Sequence, residues 1–230
     1  MTRTLIFLLL LLSAPGSATS SHDSPMSSEL LTLGVANQRL DLASDLNEEG
    51  MKLDEQERYE DALAVYQQAN EINSQSAAIL SNMGVTLRKM GRFQEAVDAF
   101  DTALLIDPRE AIIWNGRGVA LSGLGNYSEE LVSYNQALDR NPSFSWAWSN
   151  KCGVLSRLGR YEEAIDACRN ATELDSEFAA AWYNLGNAYG GAGRYPQAIL
   201  AYDEALRIDP ALHKAGDMKT ITFSLVNPAS

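Results

Sequence analysis

Cysteine and histidine are scarce in this 230-residue chain, two of each, with His22 and His213 far apart. Such a set cannot complete a tetrahedral zinc site within one protomer, so no metal and no other cofactor is expected. Basic residues are few as well, 18 Lys and Arg against 30 Asp and Glu, for a formal net charge of −12. That balance removes the phosphate-neutralising surface on which nucleic-acid binding depends. A membrane-spanning run is also missing: the apolar stretch Leu5 to Leu12 would cover about 12 Å as a helix, against about 30 Å of hydrocarbon. What remains is 46% hydrophobic and 21% charged, an ordinary globular composition that excludes wholesale disorder, collagen and a multi-span membrane protein.

Arg3, the apolar run and the small residues Gly16 and Ala18 form a charged start, a short hydrophobic segment and a small-x-small cleavage site. Residues 1–18 therefore read as a signal peptide cleaved after Ala18, and the protein as exported, whether extracellular, periplasmic or at the cell surface. The alternative is an uncleaved leader that holds a membrane-tethered adaptor. Residues 19–28 are Ser-rich and read as a flexible spacer. Residues 29–42, with Leu30, Leu31, Val35, Leu40 and Leu42, read as a candidate capping helix.

From residue 43 the chain repeats itself every 34 residues, in segments 43–76, 77–110, 111–144, 145–178 and 179–212, without insertion or deletion. Position four carries Leu46, Leu80, Trp114, Trp148 and Trp182, and position eight carries Gly50, Gly84, Gly118, Cys152 and Gly186. Position seventeen is aromatic throughout, from Tyr59 to Tyr195, and position twenty is Ala62, Ala96, Glu130, Ala164 and Ala198. Position twenty-four holds Tyr66, Phe100, Tyr134, Cys168 and Tyr202. Spacings of three, four and seven within each half describe two amphipathic helices per repeat. Gly91, Gly125, Gly159 and Gly193 supply the left-handed stop between them. The tail, 213–230, begins like another first helix but loses the pattern at Gly216, and no dedicated capping helix is expected there.

In these columns the chain resembles the tetratricopeptide repeat family, most closely in the segment Phe178 to Pro210. Repeat one departs most, with Leu46 for Trp, Glu49 at a usually apolar place and Glu57 for Gly. The resemblance implies an all-α fold, an α-solenoid in which antiparallel helix pairs form a right-handed superhelix and first helices line a concave groove. It also implies a protein-protein interaction scaffold. Carried over place by place, the partner-binding candidates are Asn82, Val85, Arg88 and Lys89, then Ile112, Asn115 and Val119, then Trp146, Asn150 and Arg157, and finally Tyr183, Asn184 and Asn187. Asn82, Asn150 and Asn184 share position six and either hold a peptide backbone or tie one helix to the next. The cationic clamp of chaperone-tail-binding relatives is missing, since positions two and six carry no Lys or Arg in repeats two to five.

The groove places include cations and no acid, whereas Asp98, Asp101, Glu129, Glu130, Glu162, Glu163, Asp166 and Glu204 lie on second helices and read as a solvated outer wall. The expected partner is therefore an extended, neutral to acidic segment of another protein. The competing reading is a structural component that associates, or self-associates, through repeat ends or the convex face. With no His in the repeats and no nucleophile and base constellation, no catalytic residue is assigned and a non-enzyme is expected. In repeat four, Cys152 and Cys168 replace the small and aromatic residues at positions eight and twenty-four, which are symmetric about the turn. A disulfide between them is expected, with buried free thiols as the alternative. Asn126 and Asn170 stand in glycosylation sequons.

Overall fold

The computed structural model describes the backbone over residues 25–226 and side chains over 33–226. The leader 1–18, the first part of the spacer and the last four residues lie outside the described residues. Two units are distinguished, Met1–Arg39 and Leu40–Ser230. All described elements are helices: α1 Pro25–Glu55, α2 Tyr59–Ile72, α3 Ala77–Lys89, α4 Phe93–Ile106, α5 Ala111–Gly123 and α6 Tyr127–Arg140. They are followed by α7 Ser145–Arg157, α8 Tyr161–Leu174, α9 Ala179–Gly191, α10 Tyr195–Ile208 and α11 His213–Val226.

In the second unit each 34-residue period is one antiparallel helix pair, and successive pairs stack into a solenoid. Four turns inside the pairs place Gly91, Gly125, Gly159 and Gly193 at φ between 71° and 76°. Glu57 occupies the same place in repeat one at φ 60°, a conformation that costs a side-chain-bearing residue about 1 kcal/mol. Between pairs, the side chains of Asn73, Asp107, Asn141, Asp175 and Asp209 each accept a bond from the backbone N–H two residues on, at 3.0 to 3.3 Å. This Asx turn sets the chain's reversal into the next repeat. The indole Nε1 of Trp114, Trp148 and Trp182 donates to the carbonyl of Pro108, Pro142 and Ser176 at 2.8 to 3.0 Å, fixing each first helix to the turn before it.

Within a pair, the glycine of position eight lies against the ring of position twenty-four. A Cβ built on Gly118 would stand 2.5 Å from the ring of Tyr134, and one on Gly186 would stand 2.4 Å from that of Tyr202. In repeat four this contact is covalent: Cys152 and Cys168 form a disulfide with Cα atoms 5.3 Å apart, both fully buried.

Both ends differ from expectation. Helix α1 begins at Pro25, inside the expected spacer, and runs without a break from the candidate cap into repeat one. Pro is compatible with a first helical turn, and no Pro interrupts the following residues. Residues 213–226 form a helix despite Gly216. Its inner face explains this: Ala215 and Thr222 are buried and Met218 packs on the core of repeat five, whereas a Cβ at Gly216 would meet nothing within 4 Å.

Candidate functional site

Consecutive first helices touch one another, α3 with α5, α5 with α7 and α7 with α9, whereas among the described residues consecutive second helices do not. First helices therefore share one continuous face, and notches open between second helices. The candidates of the first-helix face separate into those already engaged within the chain and those left open.

The asparagines are engaged across seams. Asn82 Nδ2 donates to Asn47 Oδ1 at 2.9 Å, Asn150 Nδ2 to Asn115 Oδ1 at 3.0 Å, and Asn184 Nδ2 to Ser149 Oγ at 3.1 Å. In each, position six bonds to position five of the preceding repeat; Gly116 omits the link in repeat three. Asn187 accepts from the Tyr202 hydroxyl at 3.0 Å, and the Tyr183 ring lies 6.1 Å from that of Tyr202.

Two of the three cations, Lys89 and Arg157, are also paired, which corrects the expectation of an acid-free face. Lys89 forms an ion pair with Asp54, and Arg157 with Glu130. Asp107 and Glu110 line a cavity of about 350 Å³ beside Asn82 and Ile112. Glu130 itself is only 1% exposed, so it is not part of a solvated outer wall. It stands where the sibling positions Ala62, Ala96, Ala164 and Ala198 are fully buried, and the column dictates its burial. Its Oε1 receives the Arg157 guanidinium and the Tyr134 hydroxyl, while Oε2 is buried without a hydrogen-bond partner. Burial pushes the Glu130 carboxyl up, and the Arg157 charge and hydrogen bond oppose this only in part. Burial and the neighbouring Glu130 charge raise the Tyr134 hydroxyl.

Position thirteen follows a rule visible only across the seam, against the aromatic residue thirty places earlier. Lys89 Nζ lies 5.5 Å from the Tyr59 ring centroid and the Arg157 guanidinium 5.1 Å from that of Tyr127. In repeats three and five the residue is glycine: a Cβ on Gly123 would stand 2.4 Å from the Phe93 ring, and one on Gly191 would stand 2.2 Å from that of Tyr161. Cation–π contacts and close glycine packing thus alternate along this face.

Two large apolar side chains remain open, Ile112 at 63% exposure and Trp146 at 57%. Both occupy position two, where repeats two and five carry Ala78 and Ala180. The Trp146 ring rests against Phe178 with centroids 4.5 Å apart, which holds it in place while leaving much of it exposed. Val85, Arg88, Asn115 and Val119 are half-buried between these features. Of the sequons, Asn126 caps α6, accepting from Glu129 N, and Asn170 is half-buried within α8.

Tetratricopeptide repeat models match residues 55–118 and 179–212, and a TPR repeat model matches 154–193. A protein prenyltransferase alpha subunit repeat model matches 127–158. No curated protein matches the chain. Among solved structures, YrrB, described as a TPR protein with an unusual peptide-binding site, is 24% identical; the match covers 82% of this chain and 97% of that one, with a TM-score of 0.63. A thermophilic TPR protein of Thermus thermophilus is 20% identical over 79% and 98%, at 0.64. Pseudomonas aeruginosa PilF is 16% identical over 84% and 95%, at 0.69. Repeat register, helix-pair geometry and family matches agree: this chain belongs to the tetratricopeptide repeat family.

Proposed function

We propose that the protein is an exported, non-catalytic scaffold that binds an extended segment of another protein along the face of its first helices. The observation that carries this reading is the pair Ile112 and Trp146, exposed at the same place in adjacent repeats where the siblings in repeats two and five are alanine. Exposed aromatic and aliphatic anchors of this kind are where binding energy concentrates. The description of YrrB as peptide-binding is in keeping with it. Because Lys89 and Arg157 already have carboxylate partners, the segment is selected by apolar side chains more than by negative charge. The asparagines retain donors and acceptors beyond their cross-seam bonds and can still meet a partner's backbone.

Export rests on the leader together with the Cys152–Cys168 disulfide, a bond that persists in oxidising compartments. No described helix is long and apolar enough to cross a membrane. Affinity capture with the mature chain, followed by mass spectrometry, should return a principal partner. Replacing Ile112 by Ser and Trp146 by Ala should abolish that capture while leaving the helical signal intact. Unchanged capture would refute groove binding. Assembly through repeat ends is the second reading, favoured by Ile221 and Leu225, which lie exposed on α11. In that case substitutions there, and not in the groove, would eliminate the association.

A further inference from the structure

The face of the second helices carries an apolar slot that the groove reading does not use. Position twenty-nine is Glu71, Asp139, Glu173 and Arg207 in four repeats but Leu105 in repeat two. Position twenty-two is Asp98 and Asp166 in repeats two and four but Ala64, Val132 and Leu200 in repeats one, three and five. The fold brings the exceptional Leu105 together with an apolar member of the other column: Leu105 from α4 and Val132 from α6 flank one notch whose floor includes Trp114. Leu105 is 86% exposed and Val132 53%. The cavity between them measures about 560 Å³, within the range of sites that take ligands.

The rim of the slot is charged in one direction. Arg117 bonds across it to Asp101 and Glu129 and donates to Ser133 Oγ at 2.9 Å. One cation between two carboxylates leaves this cluster net negative, and the Asp101 and Glu129 side chains are about half exposed. The floor tryptophan and its equivalent in the next repeat both have a cation over the ring, the Arg140 guanidinium 5.0 Å from the Trp114 centroid and Lys151 Nζ 5.0 Å from that of Trp148. Arg117 is held by its polar partners, and the apolar walls Leu105 and Val132 remain exposed.

We propose that this notch is a second docking surface, for a basic protein segment that seats a bulky apolar side chain between Leu105 and Val132 and places Lys or Arg beside Asp101 and Glu129. Its preference in charge differs from that of the first-helix face, so the scaffold can hold two partners at once on opposite sides of repeats two and three. A second copy of the chain is a poor occupant, because the chain carries a net charge of −12 and its second helices are rich in acid.

The test uses the mature chain and two synthetic peptides with a central Leu-Phe pair, one flanked by lysines and the other by glutamates, in calorimetric titration. The lysine peptide should bind and weaken as salt is added; the glutamate peptide should not bind. Replacing Leu105 and Val132 together by Gln removes the apolar walls without adding charge, at exposed sites where other repeats carry polar residues. It should reduce the lysine peptide's affinity at least tenfold while leaving the circular dichroism spectrum and Tm unchanged. Trp146→Ala should leave the affinity unchanged. The proposal fails if both peptides bind alike, if the Gln variant binds as well as wild type, or if Trp146→Ala abolishes binding. It also fails if ultracentrifugation shows a dimer that the Gln variant converts to monomer, which would assign the slot to self-association.

Discussion

Glu130 is buried against Arg157 of the next repeat at the one place in its column where the other four repeats have a fully buried alanine. A carboxyl whose pKa is raised by folding is more easily protonated in the native state. Its charge is thus a cost that grows as pH rises through the ordinary carboxylate range and is complete above the raised value. Replacement of Glu130 by Gln should therefore stabilise the protein at neutral pH, by on the order of 1 kcal/mol. Arg157 keeps solvent, Ser122 and the Tyr127 ring as partners. The advantage should shrink in acid, where both side chains are neutral. Urea unfolding of the two proteins at pH 7.5 and pH 4 checks this; a Gln variant clearly less stable at neutral pH would show that the ion pair outweighs its desolvation.

The Cys152–Cys168 bond replaces a glycine–aromatic contact, so that contact should be able to replace the bond. Converting both cysteines to alanine should cost about 3 kcal/mol in the oxidised state. Cys152→Gly with Cys168→Tyr should recover a substantial part of that loss. Thiol titration of the denatured, unreduced wild type should find no free thiol.

Glu57→Gly should raise stability by about 1 kcal/mol, because it relieves the only left-handed non-glycine residue among those described. Thermal unfolding measures it, and a lower Tm would mean that Glu57 makes compensating interactions.

Two further glycines should respond in opposite ways to alanine. Gly153 lies within α7 with open space where a Cβ would stand, so Gly153→Ala should stabilise by roughly 0.5–1 kcal/mol through helix propensity. Gly123→Ala drives a methyl into the Phe93 ring and should destabilise by about 1–3 kcal/mol. Equal effects at the two sites would contradict the seam packing.

In an oxidising host compartment the mature chain should begin at Thr19. N-terminal sequencing of the native protein decides this; a chain that retains residues 1–18 would favour the tethered adaptor.

The helix pairs are legible in the sequence because each column reports one local environment five times over, and the Cys152–Cys168 pair stands out as a joint departure from two columns. Glu130 departs from its column as well, yet its neighbour Glu129 makes it look like part of a solvated acidic run; the burial of the column is what decides. The pairing of position thirteen with the aromatic thirty residues earlier is hidden because it runs diagonally between repeats and not down a column. Helix α11 is hidden because a break in the apolar pattern resembles a break in the helix, whereas at Gly216 a side chain would meet nothing and none is needed for packing. Ile112 and Trp146 are legible as candidates, but the pairing of Lys89 and Arg157 is not, since their partners come from other repeats.

The disulfide lies wholly within repeat four, its ends 16 residues apart in the chain, and crosses no seam. In a denatured but oxidised chain the two arms of that hairpin remain tethered, so the loop-closure entropy of bringing them together has already been lost. In an array where each unit contacts only its neighbours, folding can start in any unit and spread from it. The bond therefore selects the starting point: refolding should nucleate at repeat four and propagate outward in both directions, and reduction should return the choice of nucleus to the other repeats.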